Sequence, residues 1–599
     1  MPVKSPLDIK NPTLRISVSV NGNAIKDTYP VVRVSISHAI NRISSAEVVL
    51  IDGAVESGDF PISDSDDFIP GNDLEISAGY GDEALKTVFK GMIVKQAIRV
   101  RPDGDLNLVV SCKHKAVTMT FNRTEEFYSD TTDSQIISGI IGKYGLSCTV
   151  DATPSQQELV YQKLATDWDF ILSRAEFYGY LTILEDDQLT IGEPKFDGAP
   201  LLRLTMGESI ITFDAELNAE RQTPSLEASA WDPASQALLK SSATEPTVNA
   251  QGNLDAKSLS AKLNQTALSL SSIIPMPQEE LKTWADGRLL MMRMKAIKGK
   301  VSFMGNADVK VGGLVELEGV GNRFNGNAFV SAVNHVIEDG MWHTTVRFGL
   351  DDKPIHEQQD FSYPAATGQV PAIHGLQIGT VKKIFADIPA AKYKIMVNIA
   401  SSAENNGDIW ARISNPYATS GAGSFFLPEV GDEVVIGFLE SDPRYPVVMG
   451  CLYSNSRKSA LEPADNNNYI KSFTTKSMLK IGFDDEKKIL TIETPAGNAL
   501  TLCDDGKSIE LKDQNNNVLK MTESGINLQS DKDISIKATG NITLDATGKL
   551  NLTAKQDVTV SGANINNTAQ MGFVAKGNAS AEISASGQTV VKGGMVMIN

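Results

Sequence analysis

Several things are scarce in this chain, and each scarcity excludes a class of protein. There are four cysteines, Cys112, Cys148, Cys451 and Cys503, scattered along 599 residues. They imply no disulfide framework, and a reducing compartment is expected during assembly. No apolar run approaches the roughly 18 residues of a membrane span. The opening M-P-V-K-S-P-L-D-I-K-N-P has no apolar signal core. Synthesis in the cytosol is expected, with any export by a route other than a cleaved signal. Basic excess is absent too: net charge is −18 and pI about 4.9, which argues against nucleic acid or an anionic membrane surface as main partner. There is no Walker motif, no G-x-S-x-G and no HExxH. The last histidine is His374, and residues 534–599 hold no arginine and one aromatic, Phe573.

What the C-terminus does have is a repeat of eight. From Ile534 the chain reads I-S-I-K-A-T-G-N, I-T-L-D-A-T-G-K, L-N-L-T-A-K-Q-D, V-T-V-S-G-A-N-I. Ile534, Ile542, Leu550 and Val558 take the first place of each octad, and Ile536, Leu544, Leu552 and Val560 the third. Ala538, Ala546, Ala554 and Gly562 follow two residues later. Period-two alternation is a strand with one buried face. The small residue and the glycines Gly540 and Gly548 mark a corner, where a bulky side chain does not fit. One octad spans about 26 Å, one side of a triangular prism. Three chains wound together bury the apolar stripe far more completely than one chain can. The expected fold is an intertwined trimeric β-helix, one layer of about 4.7 Å per octad. The segment from Met478 to Asn599 has room for about fifteen octads, a rod of roughly 70 Å.

Upstream, residues 13–120 alternate in short runs such as L-R-I-S-V-S-V and D-L-E-I-S-A, the signature of an antiparallel barrel or sandwich. The period then changes. T-D-S-Q-I-I-S-G-I-I-G-K-Y-G-L predicts a helix with Asp133 or Ser134 as N-cap and Gly145 as stop. Asp167 opens a second helix, with Trp168, Ile171, Leu172, Ala175 and Tyr178 on one face and Gly179 at its end. Residues 233–272, rich in Ser, Ala and Thr, read as long loops. Pro277 starts a helix reaching about Ala296. A glycine turn feeding a strand recurs at Pro70-Gly71-Asn72, Val311-Gly312-Gly313 and Val430-Gly431-Asp432. It fits two similar barrels within 1–350 and a smaller third one after 376. Residues 351–376, with Pro354, Pro364 and Pro371, read as a linker.

The run F-F-L-P-E-V-G-D-E-V-V-I-G-F-L-E-S-D-P-R-Y-P-V-V-M-G-C-L-Y-S (425–454), with G-D-I-W-A-R-I-S-N-P-Y-A (407–418) before it, resembles the signature of the valine-glycine repeat protein G (VgrG) family. These are the spikes of type VI secretion and related contractile injection systems. Residues 161–180 are similar to a helix of phage baseplate-hub proteins, and A-S-G-Q-T-V-V-K-G-G-M-V-M-I-N (585–599) is like the tip of spikes that stop without an effector. The resemblance implies a mainly β chain: a hub of two barrel-like domains with a few helices at 1–350, a linker at 351–376, an OB-fold barrel at 377–455 and a β-helix needle at 456–599. It implies a homotrimer that meets a hexameric tail tube protein and baseplate proteins. A conical PAAR-type protein would sit on Met595, Val596, Met597, Ile598 and Asn599, with effector cargo possible and the target membrane met only in passing.

Catalysis finds no foothold in the residues. Cys112-Lys113-His114 lacks the partners of a metal site, so a strand is the expected reading. The acidic pairs Asp66-Asp67, Glu125-Glu126 and Asp186-Asp187, and Asp484-Asp485-Glu486, lie beside Gly, Ser or Lys, as solvated turns do. Gly319-Val320-Gly321 lacks the third glycine of a dinucleotide fingerprint. No catalytic residue, cofactor or metal is expected. A β-helical carbohydrate-active enzyme would show Arg, Asp and aromatics clustered on the rod. A surface adhesin would show an export signal. The function expected is that of a structural spike joining tail tube to puncturing tip.

Overall fold

The computed structural model describes residues 3–598 apart from 55, 57, 102–105, 352, 358–360, 362 and 401–406. Two compact units result, Met1–Leu452 and Tyr453–Asn599.

Alternation builds the first unit. In Leu14–Val20, Val31–Ala39, Ser45–Ile51 and Asp73–Tyr80 every second residue turns inward, giving Val18, Val34, Ile36, Val48, Leu50, Leu74 and Ile76. With Lys86–Val100 and Leu106–Lys113 they wrap around the fully buried Phe68 and Phe89. A second set, including Ile297–Met304, Leu314–Glu318, Gly326–Glu338 and Met341–Phe348, wraps around Phe303, Phe329 and Phe348. The two expected barrels are thus two cores under one continuous sheet of thirteen strands. The seam is an antiparallel ladder from Ala39↔Ala332 to Arg33↔Glu338.

The recurrent glycine turn is one physical device used three times. Gly71, Gly312 and Gly431 have φ of +107°, +82° and +90°, a region that disfavours any side chain. Each donates its N–H to a carbonyl 2.8 Å away, of Ile93, Val330 and Val381 respectively. In return the N–H groups of those residues donate to Asn72, Gly313 and Asp432, the residues after the glycines. The reciprocal pair pins each turn to a strand before the next one begins at Asp73, Leu314 or Glu433.

The helices are placed close to expectation. Helix α1 (Asp133–Lys143) is capped one residue earlier than expected, by Thr132, whose hydroxyl accepts from Gln135 N while the Gln135 side chain accepts from Thr132 N. Asp133 is therefore freed for another task. Fully buried, it accepts from Arg174 Nε and Nη2 at 2.6 and 2.8 Å and from Tyr178 Oη at 2.6 Å. This ties α1 to α2 (Asp167–Phe177), whose buried face is Trp168, Ile171, Leu172 and Ala175 as expected. The stretch 233–272 is more ordered than loops. It contains strands Ala237–Ser242 and Leu268–Ser272 and helix α3 (Ala256–Lys262), because Asp255 caps Ser258 N and Leu268 and Leu270 pack under a long helix. That helix, α4 (Gln278–Met294), buries Leu281, Ala285 and Leu289.

The expected linker is anchored rather than free. Ile355 N donates to Glu176 at 2.7 Å and its side chain joins the α1–α2 core. Ala366 is buried, and Ile373 N donates to Ser441 O at 2.9 Å. The segment leads into a closed five-strand barrel, from Gln377–Lys383 to Pro446–Leu452, cored by Val381, Ile395, Val397, Val434, Ile436 and Val448. Pro428 is buried at its edge.

Candidate functional site

The second unit is where the chain departs from single-domain behaviour. It starts with a seven-strand antiparallel meander, Ile470–Thr474 through Gly525–Gln529, in simple sequence order. The sequence pattern predicts octads here. The physical reason for the difference is turn chemistry: T-P-A-G-N, D-D-G-K and D-Q-N-N-N break the chain at intervals of nine or ten residues and reverse it. Gly497 takes φ +91° and Asn516 φ +64°. Asp513 accepts from the N–H groups of Asn515 and Asn517 at 2.8 and 2.9 Å. The meander has no core of its own. Phe473, Ile492, Leu511 and Leu528 remain exposed, and no apolar side chain among the described residues of this unit is buried.

Past Gln529 the sheet stops. From Asp531 to Ile598 no described residue lies in a strand, every one is exposed, and no backbone-to-backbone hydrogen bond is made. Yet the chain is not irregular. It bends at 539–540, 547–548 and 555–556, at the corners expected from Gly540 and Gly548. Between the bends the inward places stand open to solvent, from 50% exposed at Ile534 to 71% at Ile536 and Leu552. Ile542, Leu544, Leu550, Val558 and Val560 lie within that range. At the end, Met595, Val596, Met597 and Ile598 are exposed as well, and Asn599 lies outside the described residues. Backbone N–H and C=O groups without partners, beside a periodic apolar stripe, are groups that folded proteins usually cover.

The other candidates are engaged in holding the fold. His114 accepts from Ala116 N at 3.0 Å through Nδ1, capping a short 3-10 turn, and its Nε2 donates to Asp186 O. Cys112 is buried in the first core, which pushes its thiol up to about 12. Asp67 takes the Tyr29 hydroxyl at 2.8 Å, Glu125 that of Tyr161 at 2.9 Å, and Glu126 that of Tyr128 at 3.1 Å. Asp187 pairs with Lys90, and Asp485 with Lys471. Gly319 and Gly321, with φ of +75° and +83°, shape a turn. No group of three or more metal-binding side chains occurs among the described residues.

A cluster not anticipated from the sequence lies at the seam of the hub. His38 and His335, on the paired strands Val31–Ala39 and Gly326–Glu338, have ring centroids 6.5 Å apart. His335 Nδ1 accepts from Trp342 Nε1 at 3.3 Å and lies 3.0 Å from Thr344 Oγ1. Burial drives its pKa down to about 3, and burial also lowers that of His38. Alternation puts His38 and His335 on strands, but their meeting depends on a pairing of strands about 300 residues apart that no local pattern announces.

Known proteins place these features. The family model described as the Alg8 N-terminal domain matches residues 10–339, more than half of the chain. That described as the type VI secretion system/phage-baseplate injector OB domain matches 377–453, the closed barrel. The spike protein VgrG5 of Pseudomonas aeruginosa is 38% identical over 64 residues, 11% of this chain and 8% of that protein. VgrG3 of Vibrio cholerae is 30% identical over 122 residues, 19% of this chain and 12% of that protein. A solved E. coli type VI secretion component, described as similar to the T4 bacteriophage tail proteins gp27 and gp5, aligns at 12% identity with a TM-score of 0.35, over 73% of this chain and 99% of that one. The chain thus spans only a small part of the length of the curated relatives it matches. The chain belongs to the family of the Alg8 N-terminal domain, carries the injector OB domain behind it, and is related to the VgrG spike proteins.

Proposed function

We propose that this chain is the structural spike of a contractile injection system, and that it works as a homotrimer without catalysing a reaction. The observation that carries the reading is the run 531–598: bent at regular corners and unpaired in its backbone, with an apolar stripe exposed to solvent along its length. Two further copies supply strand partners for its backbone and a common axis for its stripe. The hub would then present a near sixfold ring to a hexameric tube protein, within a baseplate. The flat apolar end at Met595–Ile598 suits a separate conical tip protein of the PAAR type, docked by strand pairing and hydrophobic contact. Effector cargo would travel with that assembly. Assembly takes place in the cytosol, and delivery outward accompanies contraction. Light scattering of the purified full chain tests the core of this. A mass about three times 64.5 kDa is expected, and a clean monomer at micromolar concentration sinks the reading.

A further inference from the structure

The octads read from the sequence end at Val558–Ile565, but the bends do not. They continue at 563, 570–571, 578–579, 586–587 and 594–595. Each earlier bend ends two residues before a first inward place: 540 before Ile542, 548 before Leu550, 556 before Val558. The same offset after the later bends selects Ile565, Phe573, Ala581, Thr589 and Met597. The first of these intervals, Val558 to Ile565, is seven residues, and every later one is eight.

We infer that the needle carries a single seven-residue step at 558–565 and then runs in a shifted octad register to its tip, against two further copies of this chain. The inference rests on the trimer reading above. Two observations besides the bends support it. The small residue of the fifth place is restored throughout: Ala569, Gly577, Ala585 and Gly593 succeed Ala538, Ala546, Ala554 and Gly562. Charge decides the rest. An unbroken register of eight would turn Lys576, Glu582 and Lys592 inward, each in three copies around one axis, where no counter-charge or water can solvate them. With the step, all three face out; Ala581 and Ile583 take the inward places of one octad and Thr589 and Val591 those of the next. The shift also assigns the tip. Met597 points to the axis, while Ile598, like Val574 and Val590, lies on the outer wall.

Val590 and Val591 are neighbours with opposite fates, so they discriminate the registers. Val590→Asp and Val591→Asp are made in the full chain, with Leu544→Asp as control, and proteolysis of the C-terminal segment is followed by mass. With the step, Val591→Asp opens the distal rod and speeds its cleavage by about tenfold or more, as three buried carboxylates without partners should. Val590→Asp stays at the parent rate. The reverse order overturns the step in favour of an unbroken repeat, and equal behaviour of the two variants overturns it as well. Leu544 is inward in either register. If Leu544→Asp leaves the trimer resistant, it is the trimer reading that fails. Should Val591→Asp fail to assemble at all, Val590→Cys and Val591→Cys give a second measurement by maleimide labelling of the native protein. The thiol at 590 should react and that at 591 should be protected; the opposite result rejects the step.

Discussion

The two units of this molecule use the same alternation of apolar and polar residues and end in opposite states. In Met1–Leu452 the inward residues find partners within the chain, and Val34, Val48 and Ile76 are fully buried. In Tyr453–Asn599 residues of the same chemistry stay in solvent: Leu544 is 66% exposed and Val560 67%. Pattern alone decides which side of a strand is apolar. Whether that side is covered from within or from outside depends on return: the hub reverses its strands and pairs them across long intervals, whereas the described octad residues make no backbone pairing with their own chain. An apolar stripe that never meets its own chain is an instruction for assembly.

That contrast can be broken most forcefully by one carboxylate placed on each side of it. Val48→Asp should prevent the hub from folding in any subunit, at a cost of several kcal/mol. Leu544→Asp should leave folded hubs with normal near-ultraviolet circular dichroism and abolish the resistant rod. Loss of the hub signal in Leu544→Asp would show that the units are not separable in this way. A smaller effect belongs to the hub alone. Asp133→Ala strands the Arg174 guanidinium and the Tyr178 hydroxyl, and about 3–5 kcal/mol of hub stability should disappear. Denaturant melts should show this in the hub transition and leave the rod transition in place.

Acid sharpens the contrast next, because the second unit contains no histidine. His335 is held neutral in the fold, with its pKa lowered to about 3, while in the unfolded chain it takes a proton near pH 6.5. Below that pH the unfolded state binds more protons, so stability falls on acidification, by about 2 kcal/mol at pH 5 from this group. His38, Glu185, Asp186 and Lys310 line the same pocket, and after burial the charges of His38 and Lys310 push His335 in the same downward direction. His335→Gln should flatten the slope between pH 7 and 5, and an unchanged slope would acquit the histidine. The smallest effect is a turn. Gly71→Ala adds a methyl group that meets nothing within 4 Å, so only the positive φ of +107° opposes it, costing about 1 kcal/mol. Gly312→Ala should cost more, since its methyl group would run into Ile183.

Much of this molecule was legible because its signals are local. The faces of α2 and α4, the three glycine turns and the corners at Gly540 and Gly548 each depend on residues a few positions apart. Helix α1 was displaced by one residue because Thr132 and Asp133 are both good caps, and only the buried Arg174 shows why Asp133 is used elsewhere. The meander was missed because strands of five with turns every nine or ten residues differ from octads only in the turn residues, Thr494-Pro495 and Asp513-Gln514 among them. With the meander occupying Ile470–Gln529, the octads from Ile534 to the tip would, in the proposed trimer, make about 40 Å of rod at roughly 4.7 Å each, shorter than the 70 Å expected from length alone. The single-residue step was hidden because Ile565 closes one octad on paper while opening the next in space. Pairings across long intervals, such as His38 with His335, leave no local trace.

The unpaired run from Asp531 onward also fixes how such a spike could be built and lost. A segment with no fold of its own gains one only when three copies meet, so under the proposed reading nucleation is a third-order event, steeply dependent on how many chains are present at once. The hub, whose inward residues find their partners within the chain, would raise the local concentration of the three tails and turn a rare collision into a tethered search. Loss follows a different law. No tail can leave without unzipping every layer it shares with the other two, so the lifetime of the needle is set by a barrier rather than by an equilibrium constant. A part meant to be driven once through an envelope needs that kind of durability: slow to come apart on the timescale of a single stroke, whatever the dilution beyond it.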